Sequence, residues 1–290
     1  MSANSLGELK RRMAQVSSTR PIGNITPIGN NGYGRDEAGR IYSYMPIEQL
    51  NAIRKAKEIG KDNRKFSFTH MIHLREIVAD LSNKYCGYIL LLQPHIQYKT
   101  NLLVVSDNDP TPLTIEDIAK IIGVKPRTAK TVIRELKAKE IVFETEQGFR
   151  INERYHFRKR AGGEVETVIK TFFTALKQLN VSPADLGFVY KLLPNVHYET
   201  NIICADPFVE NPADVRFLNE KQIGELVGMS PSKTKATLAR LRKAGVIGEW
   251  VNGEDKREVL TVLNPYVFYR KKGQPDKTLQ ALFAAKRFEA

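Results

Sequence analysis

The chain reads as an α+β protein, mainly α, in which one unit occurs twice in tandem. Three observations predict this. LLQPHIQYKTNLL (91–103) matches KLLPNVHYETNII (191–203), with Pro94, Tyr98, Thr100 and Asn101 returning as Pro194, Tyr198, Thr200 and Asn201. LTIEDIAKIIGVKPRTAKTVIRELKAKEIV (113–142) aligns without a gap on LNEKQIGELVGMSPSKTKATLARLRKAGVI (218–247). After a glycine-containing turn in each copy, INERYHFRKR (151–160) aligns with LNPYVFYRKK (263–272). Three blocks in the same order predict internal duplication of a unit of roughly 100 residues.

Each copy should open with a helix, FTHMIHLREIVADL (68–81) or VIKTFFTALKQL (168–179). A second helical stretch ends at Pro94 or Pro194, because proline disfavours helical geometry in the residue before it. The segment after Tyr98 or Tyr198 looks extended, with DPFVENPADV (206–215) as an added loop in the second copy. Two short helices follow around Gly123 or Gly228. Then come β-prone runs, IVFET and FRIN about a turn at Gly148, and VIGEWV and REVLTVLN about a turn at Gly253. Helices followed by a hairpin make an α+β arrangement. The expected domains are 66–160 and 165–273, joined by a short link centred on AGGE.

Residues 1–65 read as a basic, largely flexible arm. RPIGNITPIGNNGYGRDEAGR repeats PIGN and is rich in Gly, Pro and Asn, so it can build little core. Arg11, Arg12, Arg20, Arg35 and Arg40 lie along it. Such an arm either adds diffuse attraction or enters a DNA minor groove. A short basic helix is expected from Pro46 to Ile59. Residues 274–290 should form a short helix capped by Asp276, with Leu279, Leu282 and Phe283 as a stripe and Phe288 near its end. That stripe fits its own domain or a partner subunit.

The 45 basic residues outnumber the 32 acidic ones, leaving +13 and a pI near 9.6. Such an excess favours polyanionic partners. The longest apolar run, near Tyr88 to Leu92, is too short to span a bilayer, and no signal peptide opens the sequence. No membrane is expected, and the location expected is cytoplasmic, on the nucleoid. Cys86 and Cys204 should be free thiols. There is no CxxC and no GxxxxGK[ST] loop. His70, His73, His95, His156 and His197 lack a converging cluster of carboxylates and further histidines. The expectation is no metal, no cofactor and no enzyme activity.

The run 125–141 carries the functional signal. Ala129, Val132, Ile133 and Leu136 give one apolar helical face, while Arg127, Lys130, Arg134 and Lys137 lie opposite. Gly123 supplies a sharp turn after an amphipathic helix, and Pro126 opens the next one, where its missing N–H costs nothing. Leu218, Ile223, Val227, Gly228 and Pro231 repeat that plan. This is helix-turn-helix logic, in which the first helix anchors and the second enters the major groove. The hairpin that follows would be a wing.

At these residues the sequence resembles winged helix-turn-helix proteins, in particular the MarR-like regulators. The whole unit is also similar to RepL-type replication proteins of plasmids and phages. The resemblance covers about 66–160 and 167–272 and implies a DNA-binding fold. Two departures stand out: MarR-like regulators carry one such unit and dimerise, and the two helices here differ outwardly. Arg127, Thr128, Thr131 and Arg134 become Ser232, Lys233, Ala236 and Ala239.

The expected DNA contacts are Lys125, Arg127, Thr128, Lys130, Thr131, Arg134 and Arg150 in the first copy. In the second they are Ser232, Lys233, Lys235, Arg240, Lys256 and Arg257. A mixed-sign solvated face would be the bland reading of such charges. Met229 to Lys243 argues against it, holding Lys233, Lys235, Arg240, Arg242 and Lys243 but no acid. The expected function is sequence-specific binding of double-stranded DNA, as a transcription regulator of a phage or plasmid. The alternative is a replication initiator binding origin repeats. A homo-oligomer is left open.

Overall fold

The protein's structure, a computed structural model, describes residues 20–28, 32–43, 45, 64–162, 165–209, 211, 214–251 and 259–286. The chain divides into two compact units, 1–61 and 62–290. It is mixed α and β, with small antiparallel sheets. No described helix is long and apolar enough to cross a membrane.

In the first unit, β1 (Thr26–Pro27), β2 (Tyr33–Arg35) and β3 (Ile41–Ser43) form an antiparallel meander. Asp36, 4% exposed, holds it together. Burial alone would raise its pKa. Hydrogen bonds from the Ile22 and Arg40 amides and the Arg40 guanidinium overcome this and bring it to about 2. Within the segment expected to be a basic arm, a polar lock with little apolar core organises these residues. Arg40 is tied to Asp36. The expected helix from Pro46 to Ile59 lies outside the described residues, as do Arg11 and Arg12.

The second unit opens with β4 (Phe66–His70), followed by α1 (Met71–Val78) and α2 (Asn83–Leu92). The local pattern predicts one helix over 68–81. Instead, Ser67 and Thr69 point into the protein and the backbone of β4 is satisfied by a distant strand, which local periodicity cannot reveal. Helix α2 stops at Leu92, and Pro94 lies in a single 3-10 turn, Gln93–His95. The chain reverses through Asn101, at φ 58°, and returns against Ile96. Next come α3 (Ile115–Ile122), α4 (Pro126–Ala138), the hairpin β5 (Val142–Thr145) and β6 (Gly148–Ile151), and then β7 (His156–Phe157).

The same order then recurs: β8 (Val168–Phe172), α5 (Phe173–Gln178), α6 (Pro183–Leu192), α7 (Glu220–Val227), α8 (Pro231–Lys243), β9 (Ile247–Val251), β10 (Val259–Leu263) and β11 (Phe268–Tyr269). Here too the helix expected over 168–179 begins as a strand. Side-chain ties recur with the elements. The Asn101 amide donates to the Ile151 and His156 carbonyls, and that of Asn201 to those of Leu263 and Phe268. His95 donates to the Val104 and Val105 carbonyls, where Asn195 serves Cys204 and Ala205. Arg158 binds the Ile96 carbonyl and Arg270 that of Val196.

The two halves meet through reciprocal contacts. Strands β4 and β8 pair antiparallel at the centre of a four-stranded sheet, β11-β8-β4-β7, with Phe68 opposite Lys170, its own counterpart. Helices α2 and α6 cross at glycine. A Cβ on Gly87 would lie 1.7 Å from the Pro183 carbonyl oxygen, and one on Gly187 would lie 1.5 Å from that of Asn83. Contacts of i with j matched by j with i are the mark of a two-fold relation. Helix α9 (Lys277–Leu282), capped by Asp276, buries Leu279 and Phe283 against the second half, with Phe283 over Gly248. Leu279 and Phe283 thus pack on their own domain while Leu282 stays exposed, and Phe288 lies outside the described residues.

Candidate nucleic-acid interface

Helix α3 begins with a capping box, in which the Thr114 hydroxyl accepts from the Asp117 amide and Asp117 accepts from the Thr114 amide. It buries Ile118, Ala119 and Ile122 and ends at Gly123, whose left-handed φ of 69° turns the chain sharply. Lys125 follows, then Pro126 at the first position of α4. Ala129, Val132, Ile133 and Leu136 are buried, so α4 can roll in neither direction without exposing apolar surface. At roughly 25 cal/mol per Å², such a face holds a helix far more firmly than its propensity does.

The opposite face is open. Lys125, Arg127, Thr128, Lys130, Thr131 and Arg134 are all exposed, as expected. Among the described residues, the side chains of Lys125, Arg127 and Lys130 make no ion pair or hydrogen bond. Thr131 donates to the Arg127 carbonyl at 3.3 Å, and Arg134 has only Glu135, 3.8 Å away. Lys137 is committed to Glu144 on the hairpin.

Arg150 departs from expectation. Its guanidinium is half-buried and pairs at 2.9 Å with Glu153, which also holds Lys159. A hairpin cation facing an acid three residues on is neutralised locally, so it is not offered outward as the other cations are.

Helix α7 repeats the plan with a capping box from Asn219 and Gln222 and a left-handed Gly228, also at 69°. Helix α8 buries Thr234, Thr237, Leu238 and Leu241. The Thr234 hydroxyl donates to the Ser230 carbonyl and fills the space beside Gly224, whose Cβ would fall 2.7 Å from it. Ser232, Lys233 and Lys235 are exposed, as expected. Lys243, at the end of the basic run, is exposed as well.

Arg240 is exposed but already ion-paired. Its guanidinium donates two hydrogen bonds to Asp185 on α6, at 2.9 and 2.6 Å, and one to the Thr237 hydroxyl at 2.9 Å. Those bonds lower the Asp185 pKa, Arg240 first, against burial, which raises it. Asp185 is far away in sequence, so the helix pattern alone could not identify this tie. Arg242 is likewise held by Glu249, at 2.9 Å. Lys256 and Arg257 lie outside the described residues.

Among the described residues no three His, Cys, Asp or Glu side chains gather as metal ligands. Cys86 and Cys204 are free, and burial pushes both thiols up to about 12. No family model, curated protein or solved structure matches this chain.

Proposed function

We propose that this chain binds double-stranded DNA sequence-specifically, through two winged helix-turn-helix units derived by internal duplication, and regulates transcription on a phage or plasmid genome. The observation that carries this reading is α4, clamped on one side by four buried apolar residues and presenting on the other exposed cations, of which Arg127 and Lys130 have no partner among the described residues. The +13 charge supports the same partner.

In this reading α3 and α7 anchor while α4 and α8 enter successive major grooves about 34 Å apart. Arg127 and Arg134 are suited to bidentate contacts with guanine, each worth roughly 1–3 kcal/mol of discrimination. Thr128, Thr131 and Ser232 face bases, and Lys125, Lys130, Lys233 and Lys235 add mostly phosphate affinity. Arg150 and Arg240, partly exposed but already paired with Glu153 and Asp185, are weaker candidates for phosphate contact than the lysines. Since Arg127 and Arg134 have Ser232 and Ala239 as counterparts, the two half-sites should differ.

The second reading, a replication initiator, is favoured by the interlocked crossing of α2 and α6. It would hold two unlike reading heads in fixed order over origin repeats. Genome-wide mapping of bound sites with footprinting tests both readings. A bipartite, asymmetric footprint over a promoter supports the regulator, and clustered repeats beside an AT-rich segment support the initiator. Affinity should fall with salt at a logarithmic slope of about −0.9 per phosphate neutralised. Failure to bind duplex at low ionic strength overturns both.

A further inference from the structure

We propose that the outer face of the central sheet is a second nucleic-acid site, one that takes an unpaired DNA strand, stacking a base on aromatic rings and holding phosphates with cations from both halves. A groove of about 570 Å³ runs over this face. Its floor is Phe66 and Phe68, alternate residues of β4 and so on one side of the strand. Phe68 stacks on Phe157 with centroids 5.1 Å apart, and Phe66 meets Phe68 edge-on at 5.0 Å. The floor is therefore rigid. Tyr98, 48% exposed, supplies an accessible ring at the groove's lip, with the Lys99 ammonium 5.9 Å from its centre.

The charge is one-sided. Arg160, Lys170 and Lys272 line the groove together with Lys159, and no acid lines it among the described residues. Arg160 and Lys272 are counterparts in the aligned segments 151–160 and 263–272, and both are exposed. Phe68 and Lys170, opposite one another in the sheet, are counterparts as well. The groove thus lies on the line relating the halves, and each half contributes cations to it. Lys170 is fixed in place, donating to the Lys271 carbonyl with its ammonium 5.4 Å from the centre of the Phe66 ring.

Aromatic platforms flanked by cations suit single strands, whose bases expose their faces while the backbone supplies regular negative charge. A duplex hides those faces, and an acidic peptide would leave the rings without a matching surface. The volume is that of an ordinary small-ligand site, large enough for a base and its sugar.

The test uses the full chain and fluorescence anisotropy with a labelled oligothymidine of about 12 nucleotides, an abasic phosphodiester of equal length and a duplex. Oligothymidine should bind at least about tenfold more tightly than the abasic chain, reporting stacking. Tyr98→Ala should remove most of that difference. Arg160→Ala with Lys272→Ala should weaken both single-stranded probes and leave the duplex unchanged. Arg127→Ala should leave oligothymidine binding intact, which separates this site from α4. Equal affinity for the abasic and thymidine chains overturns the proposal. So does wild-type oligothymidine binding by the groove variants, loss of that binding in Arg127→Ala, or weakened duplex binding in the groove variants.

Discussion

Helices α4 and α8 are built alike and equipped differently. Each starts at a proline, follows a left-handed glycine and buries residues at four matching positions, Ala129, Val132, Ile133 and Leu136 against Thr234, Thr237, Leu238 and Leu241. Outwardly, α4 leaves Arg127 and Arg134 exposed, whereas α8 has Ser232 and Ala239 there and turns Arg240 sideways onto Asp185. Asp185 stands where the first half has Tyr85, and Arg240 stands where it has Glu135. A count of cations along a helix therefore overstates what that helix offers a polyanion. What matters is which of them lack an internal carboxylate.

The largest effect should come from the contact that the halves share. Alanine usually stabilises a helix over glycine by roughly 1 kcal/mol. At Gly87 and Gly187 the new carbon would meet backbone carbonyl oxygens, which cannot rotate away. Gly87→Ala and Gly187→Ala should each cost at least about 3 kcal/mol, read by chemical denaturation, at the upper end for overpacking. Similar losses are expected because the contacts are reciprocal. A neutral or stabilised variant would show that the helices do not approach so closely in solution.

Arg127 and Arg240 break the comparison next. Arg127→Ala should weaken binding to the specific duplex by roughly 1–3 kcal/mol and relax preference at one base pair, with unfolding unchanged. Arg240→Ala should do the reverse. It should cost about 1–2 kcal/mol of stability, since the Asp185 side chain is only 9% exposed, and leave sequence preference alone. Because the pair lowers the Asp185 pKa, its contribution is present at neutral pH and lost as pH falls through the lowered value. The gap between Arg240→Ala and wild type should close in acid. Equal effects of both substitutions on affinity and stability would erase the distinction.

Much of this architecture could be read from repetition and punctuation. Gly123 and Gly228, and Pro126 and Pro231, are local signals with local causes, and all stand where the pattern puts them. The hairpin strands β5, β9 and β10 also lie within the β-prone runs, and β6 starts one residue before FRIN, at the glycine expected to turn. What escaped was set by distant partners. β4 and β8 are strands because they pair with each other, against a local pattern that suited helix. Arg240 and Arg150 looked free because Asp185 and the geometry of Glu153 are not properties of a helical wheel or a hairpin turn. The meander at 26–43 escaped because a buried carboxylate, Asp36, organises it in place of an apolar core.

The smallest effect concerns a buried asymmetry. Where the second half has Phe268, the first has His156, fully enclosed between the halves. Its Nε2 lies 2.7 Å from the Tyr190 hydroxyl, and its Nδ1 lies 3.1 Å from the Gln93 amide nitrogen. Gln93 accepts from Ser67 through its oxygen, so its nitrogen faces the ring and can only donate. Nδ1 therefore accepts, Nε2 carries the proton, and the ring is neutral. A second ring proton would face that amide, and burial holds the pKa down to about 3. In the unfolded chain the same histidine titrates near 6.5. Between those values the unfolded state binds more protons, so stability is complete above about 6.5 and drains away as pH falls toward 3. At pH 5.5 the loss should be roughly 1.4 kcal/mol. His156→Gln retains a donor and an acceptor but cannot titrate, so its stability should fall less between pH 7 and 5.5 by about that amount. Denaturation midpoints at both pH values measure the difference. Parallel losses would mean that His156 is hydrated or charged in solution, and that the halves meet less tightly than their reciprocal contacts require.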